Sequence, residues 1–231
     1  MSIIFDEQNK VFKLDTKTST YIFGVFTGDY LVHYYYGAPI PDTNVEKLRY
    51  RSHYASFCPD SPTAREKNFS PDVTPMEYST NGAGDFRISA FAVKNANGDT
   101  VTDLRYVSHK IYKGKKALKG LPSLYLNNDD EADTLEVLTC DKVTGAEVTL
   151  VYTVFKDYGA ITRSVVVKNN SDKPFSIESV HSLCVDLPSA DFEMIDLYGK
   201  WIKERSIGRH TLHTGIQSIK SKRGSSSHNH N

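Results

Sequence analysis

Apolar and polar side chains alternate most strictly over Glu147–Phe155. There Val148, Leu150, Tyr152 and Val154 fall on one side, and Glu147, Thr149 and Thr153 on the other. That period of two is the mark of a half-buried β-strand. Ile161–Lys168 and Phe175–Leu187 repeat it. Earlier in the chain Ile3–Phe5, Val11–Leu14, Tyr21–Phe26 and Tyr30–Tyr36 are short runs rich in β-branched and aromatic residues. Thr27-Gly28-Asp29 marks a hairpin turn between the last two. Ile88–Lys94, a hairpin turn at Asn97-Gly98, Val101–Tyr106 and Ser108–Tyr112 continue the series, and Gly215–Lys222 reads as a last strand. No stretch longer than about ten residues keeps helical spacing, so little helix is expected. Many short strands at regular spacing predict an all-β chain of stacked antiparallel sheets, a large twisted β-sandwich.

Two stretches interrupt this rhythm. Residues 42–75 carry four prolines, at positions 59, 62, 71 and 75, mixed charge and no period. A loop of that length inside a domain is usually functional or disordered. Arg49, Arg51, His53, Tyr54, Phe57, Asp60, Arg65 and Lys67 give it many groups able to bind a partner. The second stretch, Met76–Arg87, ends the loop. Asn81-Gly82 and Gly84 allow positive φ and a sharp turn. Asp85 and Arg87 are two apart and share a side, while Phe86 is expected to point inward. Glu77 lies in range of Arg87 for a charge-assisted pair. The plainest account of Glu77, Asp85 and Arg87 is a structural turn held by a buried ion pair. A direct ligand contact is the sharper alternative.

Composition removes several classes of function. Lys+Arg and Asp+Glu are 28 each, so no overall field draws in nucleic acid or an anionic membrane. The five lysines between Lys110 and Lys119 read as a solvated face. No window of about 20 apolar residues is present to span a membrane, and the first residues lack the pattern of a signal peptide. The three cysteines, Cys58, Cys140 and Cys184, are odd in number and form no Cys-x-x-Cys, which fits reduced thiols in a cytoplasmic protein. The glycines match neither a dinucleotide nor a phosphate loop. Asp129, Asp130, Glu131 and Asp133 lack the calcium-loop order, and His228 and His230 lack a third ligand, so no metal and no cofactor is expected.

A series of short motifs then identifies a family resemblance. Tyr35-Tyr36-Gly37, Glu77-Tyr78, Gly84-Asp85-Phe86-Arg87, Asp103-Leu104-Arg105-Tyr106, Gly114-Lys115, Gly120-Leu121-Pro122, Thr134-Leu135-Glu136, Ile161-Thr162-Arg163-Ser164, Gly199-Lys200-Trp201-Ile202-Lys203-Glu204-Arg205 and Arg223-Gly224-Ser225-Ser226-Ser227-His228 run in order across nearly the whole chain. Together they resemble the N-terminal domain of bacterial α-galactosidases of glycoside hydrolase family 36. The resemblance implies a supersandwich related to galactose mutarotase over residues 1–222. Residues 223–231 would then begin the linker to a catalytic (β/α)8 barrel. It implies retaining hydrolysis of terminal α-galactosides such as melibiose and raffinose, in a homotetramer. A retaining glycosidase works with two carboxylates about 5–5.5 Å apart, and in the family both are barrel aspartates, which would lie beyond residue 231. No residue of this chain is therefore assigned a catalytic role.

The family's long loop, here about 49–67, reaches toward a neighbouring subunit's active site. Tyr54 stands where family members often carry an aspartate, with Asp60 as a substitute, and Arg65 or Lys67 stands at the arginine position. Two other readings stay open beside the accessory domain. One is a free-standing carbohydrate-binding sandwich. The other is a mutarotase-like enzyme, which needs a histidine facing a carboxylate in a pocket; His33, His109, His181 and His213 are its candidates.

Overall fold

Four opening runs form an antiparallel meander. The strands are β1 (Ile3–Asp6), β2 (Val11–Asp15), β3 (Thr20–Phe26) and β4 (Tyr30–Gly37), paired in chain order. In this computed structural model the described residues are 2–45, 47–49, 69–82, 84–120, 123–187 and 189–220. Thr27-Gly28-Asp29 makes the tight connection between β3 and β4, with Gly28 at φ 72° and Asp29 at φ 63°. A second antiparallel sheet contains β6 (Arg105–Lys113), β7 (Asp133–Cys140), β8 (Ala146–Phe155) and β9 (Ala160–Asn169), again in chain order. Two shorter strands, β5 (Phe91–Lys94) and β10 (Ser176–Val180), pair with each other. The chain divides into two compact units, Met1–Asp186 and Leu187–Asn231. The second unit contains a hairpin of β11 (Glu193–Lys200) and β12 (Lys203–Thr211).

Within the first unit the two four-stranded sheets share one core. Phe12, Leu14, Tyr21 and Phe23 from the meander meet Leu135, Val137, Val148, Leu150, Tyr152 and Val154 from the second sheet. The apolar set of β8 is fully buried, because strand alternation delivers every second side chain to the same layer. Phe23 stacks on Tyr152 with ring centroids 4.8 Å apart, and Phe12 on Phe23 at 4.9 Å. The meander is also covered on its other face. Val11 and Ile22 pack under Val45 and Ile40, and Tyr30 and Val32 pack against Phe69 and Met76. The long loop thus contributes core residues at both of its ends.

Among the described residues there is no α-helix, only two short 3-10 turns, and none is long and apolar enough to cross a membrane. The all-β antiparallel sandwich is the architecture the alternation predicts.

Several local expectations are corrected. Asn97-Gly98 does form a turn, with Gly98 at φ 91°, but no hairpin follows, because the partner of β5 is the distant β10. Strand structure starts at Arg105 rather than Val101. The preceding loop is knit instead to Asn81, whose Nδ2 donates to the Thr100 carbonyl and Oγ1, and whose carbonyl accepts from Thr102 N–H. The run Phe175–Leu187 is strand only over Ser176–Val180, ending after a bulge. Residues 212–220 contain no strand, where the sequence predicts one over Gly215–Lys222, whose last two residues lie outside the described ones. Strand β7 and the β11–β12 hairpin are additional to the runs read from the sequence.

Candidate functional site

Two ionic nodes, one buried and one half-buried, occupy the first unit, both built on the stretch that closes the long loop. Residues 75–77 run beside the edge of β4. His33 N–H donates to the Pro75 carbonyl at 2.8 Å and Glu77 N–H to the Leu31 carbonyl at 3.0 Å, with an antiparallel bridge between Val32 and Met76. This pairing drives the Glu77 side chain into the space between the two sheets, where it is fully buried.

A carboxylate stripped of water must find other donors, and Glu77 finds them on both layers. From the meander, Tyr21 Oη donates at 2.9 and 2.8 Å to its two oxygens. From the second sheet, Tyr152 Oη donates at 2.6 Å and Arg163 Nη1 at 2.6 Å. His33 Nδ1 stands 3.5 Å from Oε2, within ion-pair range but without hydrogen-bond geometry. Tyr152 and Arg163 face each other in the β8–β9 register, and the guanidinium carbon lies 4.0 Å from the Tyr152 ring centroid. The node therefore rivets β3 and β4 to β8 and β9.

The electrostatics follow from that geometry. Burial pushes the Glu77 carboxyl up, but Arg163, His33 and the Tyr152 hydrogen bond outweigh it and hold the group below its ordinary value. Burial, then the Glu77 charge, pushes the Tyr21 phenol well above its usual range, and burial does the same for Tyr152. Burial opposes the Arg163 charge, yet Tyr152 and Glu77 more than restore it. Glu77 is thus an anion held for structure, with every oxygen occupied.

The second node centres on Arg87. Its Nε donates to Asp85 Oδ1 at 3.0 Å and its Nη2 to Asp85 Oδ2 at 2.9 Å, a bidentate pair. Nη1 reaches Asp186 at 2.8 Å, and Nη2 also meets the carbonyls of Pro71 and Thr74 at 3.1 and 3.0 Å. One guanidinium thereby ties the end of the long loop, the Gly84–Arg87 turn and the segment after β10. Arg87 is thus bonded to Asp85 and Asp186, not to Glu77, whose cationic partner is Arg163. Phe86 is corrected as well. It is 71% exposed rather than inward-facing, because the flanking Asp85 and Arg87 take the inward positions to make their pair.

Replacing Arg87 with methionine leaves the buried Asp85 carboxylate without its fork. The guanidinium side chain is 34% exposed, so the expected loss is about 1–2 kcal/mol rather than the larger figure for a fully buried pair. A lowered urea midpoint at unchanged slope would show it. An unaltered midpoint would count against the bracing role.

Tyr21 and Asp186 are node members that the sequence does not mark out, and although His33, Tyr152 and Arg163 stand out in it as a candidate histidine, a core-face residue and part of a family motif, nothing there makes them partners of Glu77. Arg163 did carry a signal. It shares the parity of Ile161, Val165 and Val167, which pack against the core, and a charge on an apolar face requires a buried counter-charge. Tyr54, Asp60, Arg65 and Lys67 lie outside the described residues. His33 does face a carboxylate, as a mutarotase-like site needs, but both are buried and Glu77 is saturated, so no sugar has access. A cleft of about 580 Å³ lies elsewhere, among the loops bearing Asn95, Asp99, Thr144, Asp172, Lys173 and Phe175. Among the described residues no group of three or more His, Cys, Asp or Glu is arranged to hold a metal.

The first unit is a two-sheet antiparallel β-sandwich in which Glu77 and Arg163 pair across the layers. The sequence profile of the glycosyl hydrolase family 36 N-terminal domain matches residues 29–231, and the chain belongs to that family. It is 40% identical over its full length to α-galactosidase AgaA of Geobacillus stearothermophilus, of which it covers 31%. It is 35% identical to the bifunctional α-galactosidase/sucrose kinase AgaSK of Mediterraneibacter gnavus, covering 24% of that protein. Among solved structures, the family 36 α-galactosidase AgaB of Geobacillus stearothermophilus superposes over the whole chain with a TM-score of 0.91 at 39% identity, and 31% of that chain is covered. A double variant of AgaA, solved in complex with raffinose, gives 0.89 at 40% identity, over 96% of this chain and 31% of the other. The chain spans about a quarter to a third of the length of these relatives.

Proposed function

We propose that this chain is the non-catalytic N-terminal domain of a retaining α-galactosidase acting on terminal α-galactosides of the melibiose and raffinose class. Its work is to support a (β/α)8 catalytic barrel encoded beyond residue 231, with residues 1–222 as the domain and 223–231 as the start of the linker. The carrying observation is a match along the whole chain to α-galactosidases of which it makes up about a third. The sealed state of Glu77 and the bidentate engagement of Asp85 support the same reading, since neither carboxylate is free to attack a sugar or protonate a leaving group. The full-length protein is proposed to act in the cytoplasm as a homotetramer. In it the loop bearing Tyr54, Asp60, Arg65 and Lys67 contributes to substrate binding at a neighbouring subunit. Reduced Cys140 and Cys184 accord with that compartment.

Calorimetric titration of the 231-residue chain with raffinose and with melibiose tests this reading against a free-standing sugar-binding module. No heat of binding is expected. Saturable binding of either sugar would favour the module, with the cleft beside Phe175 as the first place to look.

A further inference from the structure

Phe86 and Ile88 are 71% and 61% exposed, yet the residue between them is among the most firmly fixed side chains described. Arg87 is bonded to two carboxylates and two backbone carbonyls from three segments. Its own N–H donates to Asp85 Oδ1 at 3.0 Å, and the Ile88 carbonyl accepts from Ser79 Oγ at 3.3 Å. Two large apolar side chains are thus presented to solvent on a backbone that is already ordered. A single exposed hydrophobic side chain needs no explanation, but a preorganised aromatic–aliphatic pair is the make-up of an interface anchor. Ordering before contact lowers the entropy lost on association.

We infer that Phe86 and Ile88 anchor this domain to the remainder of the parent polypeptide, with the Asp85–Arg87–Asp186 node as the brace that aims them. This rests on the functional reading above. The occupant is chosen on length: the chain covers its whole own length but only 31% of AgaA and of AgaB. The missing two thirds of such a protein must meet this domain on some face. Phe86 and Ile88 belong to the first unit, and its buried apolar residues already pack on one another.

Hydroxyl-radical footprinting of the 231-residue chain and of the full-length gene product, side by side, tests the inference. Phe86 is expected to be labelled readily in the short chain and about tenfold more slowly in the long one, as full burial in an interface requires. The double variant Phe86→Ser/Ile88→Ser should leave the thermal midpoint of the short chain in place and lower that of the full-length protein. Equal labelling in both proteins overturns the docking inference and leaves the functional reading standing. So does protection in the short chain that grows with its concentration, which would make a second copy the occupant. A gene product that ends with this chain overturns both.

Discussion

Replacing Arg163 with methionine is expected to destabilise the first unit by about 3–5 kcal/mol, the range for leaving a buried charge without its partner. Against a total of about 5–15 kcal/mol for a domain, that is enough to leave a large fraction unfolded at ordinary temperature. The reason lies in the asymmetry of the pair. Glu77 is fully buried and takes one of its shortest hydrogen bonds, 2.6 Å, from Arg163 Nη1. Methionine keeps most of the volume beside Tyr152 but removes that donor and the charge. The two tyrosine hydroxyls remain, and they cannot neutralise a carboxylate, while His33 stands 3.5 Å away without hydrogen-bond geometry. Glu77→Gln in the same background should recover part of the loss, because the neutral amide no longer needs a cation. Equilibrium unfolding of Arg163→Met, Glu77→Gln and the double variant measures the coupling directly. Additive losses in the double variant would show that the two side chains do not form one unit.

The same node sets an acid limit. The folded Glu77 carboxyl lies below its ordinary value of 4.5. Its contribution to stability is therefore fully present above about pH 4.5, the unfolded value. It is lost as the pH falls through the lower folded value, where both states bind the proton. In Arg163→Met the desolvated carboxyl loses the largest influence holding it down, with His33 and the tyrosine hydroxyls left, so its titration should move upward. The variant should then lose less stability than the parent on acidification through this range. A steeper acid loss in the variant than in the parent would contradict that assignment.

Much of the sandwich is legible in the chain because a period of two leaves little freedom. Once Val148, Leu150, Tyr152 and Val154 share a face, a one-residue slip would turn that face to water. The elements that escape are those whose pattern is diluted. Strand β7 begins at Asp133, directly after the acidic turn at Asp129–Glu131, and the turn's charge hides the strand's start. The β11–β12 hairpin has charged residues along both strands and exposes Ile195, Leu197 and Ile207, so burial does not sharpen its pattern. The tip places Ile202 at φ 68°, and Arg205 within β12 is at φ 62°, conformations that turn rules assign to Gly or Asn.

The nodes were partly readable. Two residues apart in an extended segment is enough to bring Asp85 and Arg87 together. Nothing local connects Glu77 to Arg163, which is 86 positions away. That pairing depends on β9 being the neighbour of β8 and on residues 75–77 adding to the edge of β4. Proximity in sequence favoured Arg87 as the partner, and topology supplied Arg163.

The proposed role of this sandwich is to serve a glycosidase without performing the hydrolysis. Galactose release from raffinose, measured in parallel for the purified 231-residue chain and for the full-length gene product at equal molarity, tests that claim most directly. The prediction is sustained release by the full-length protein and none above buffer by the chain. Galactose appearing in proportion to the concentration of the 231-residue chain would contradict it.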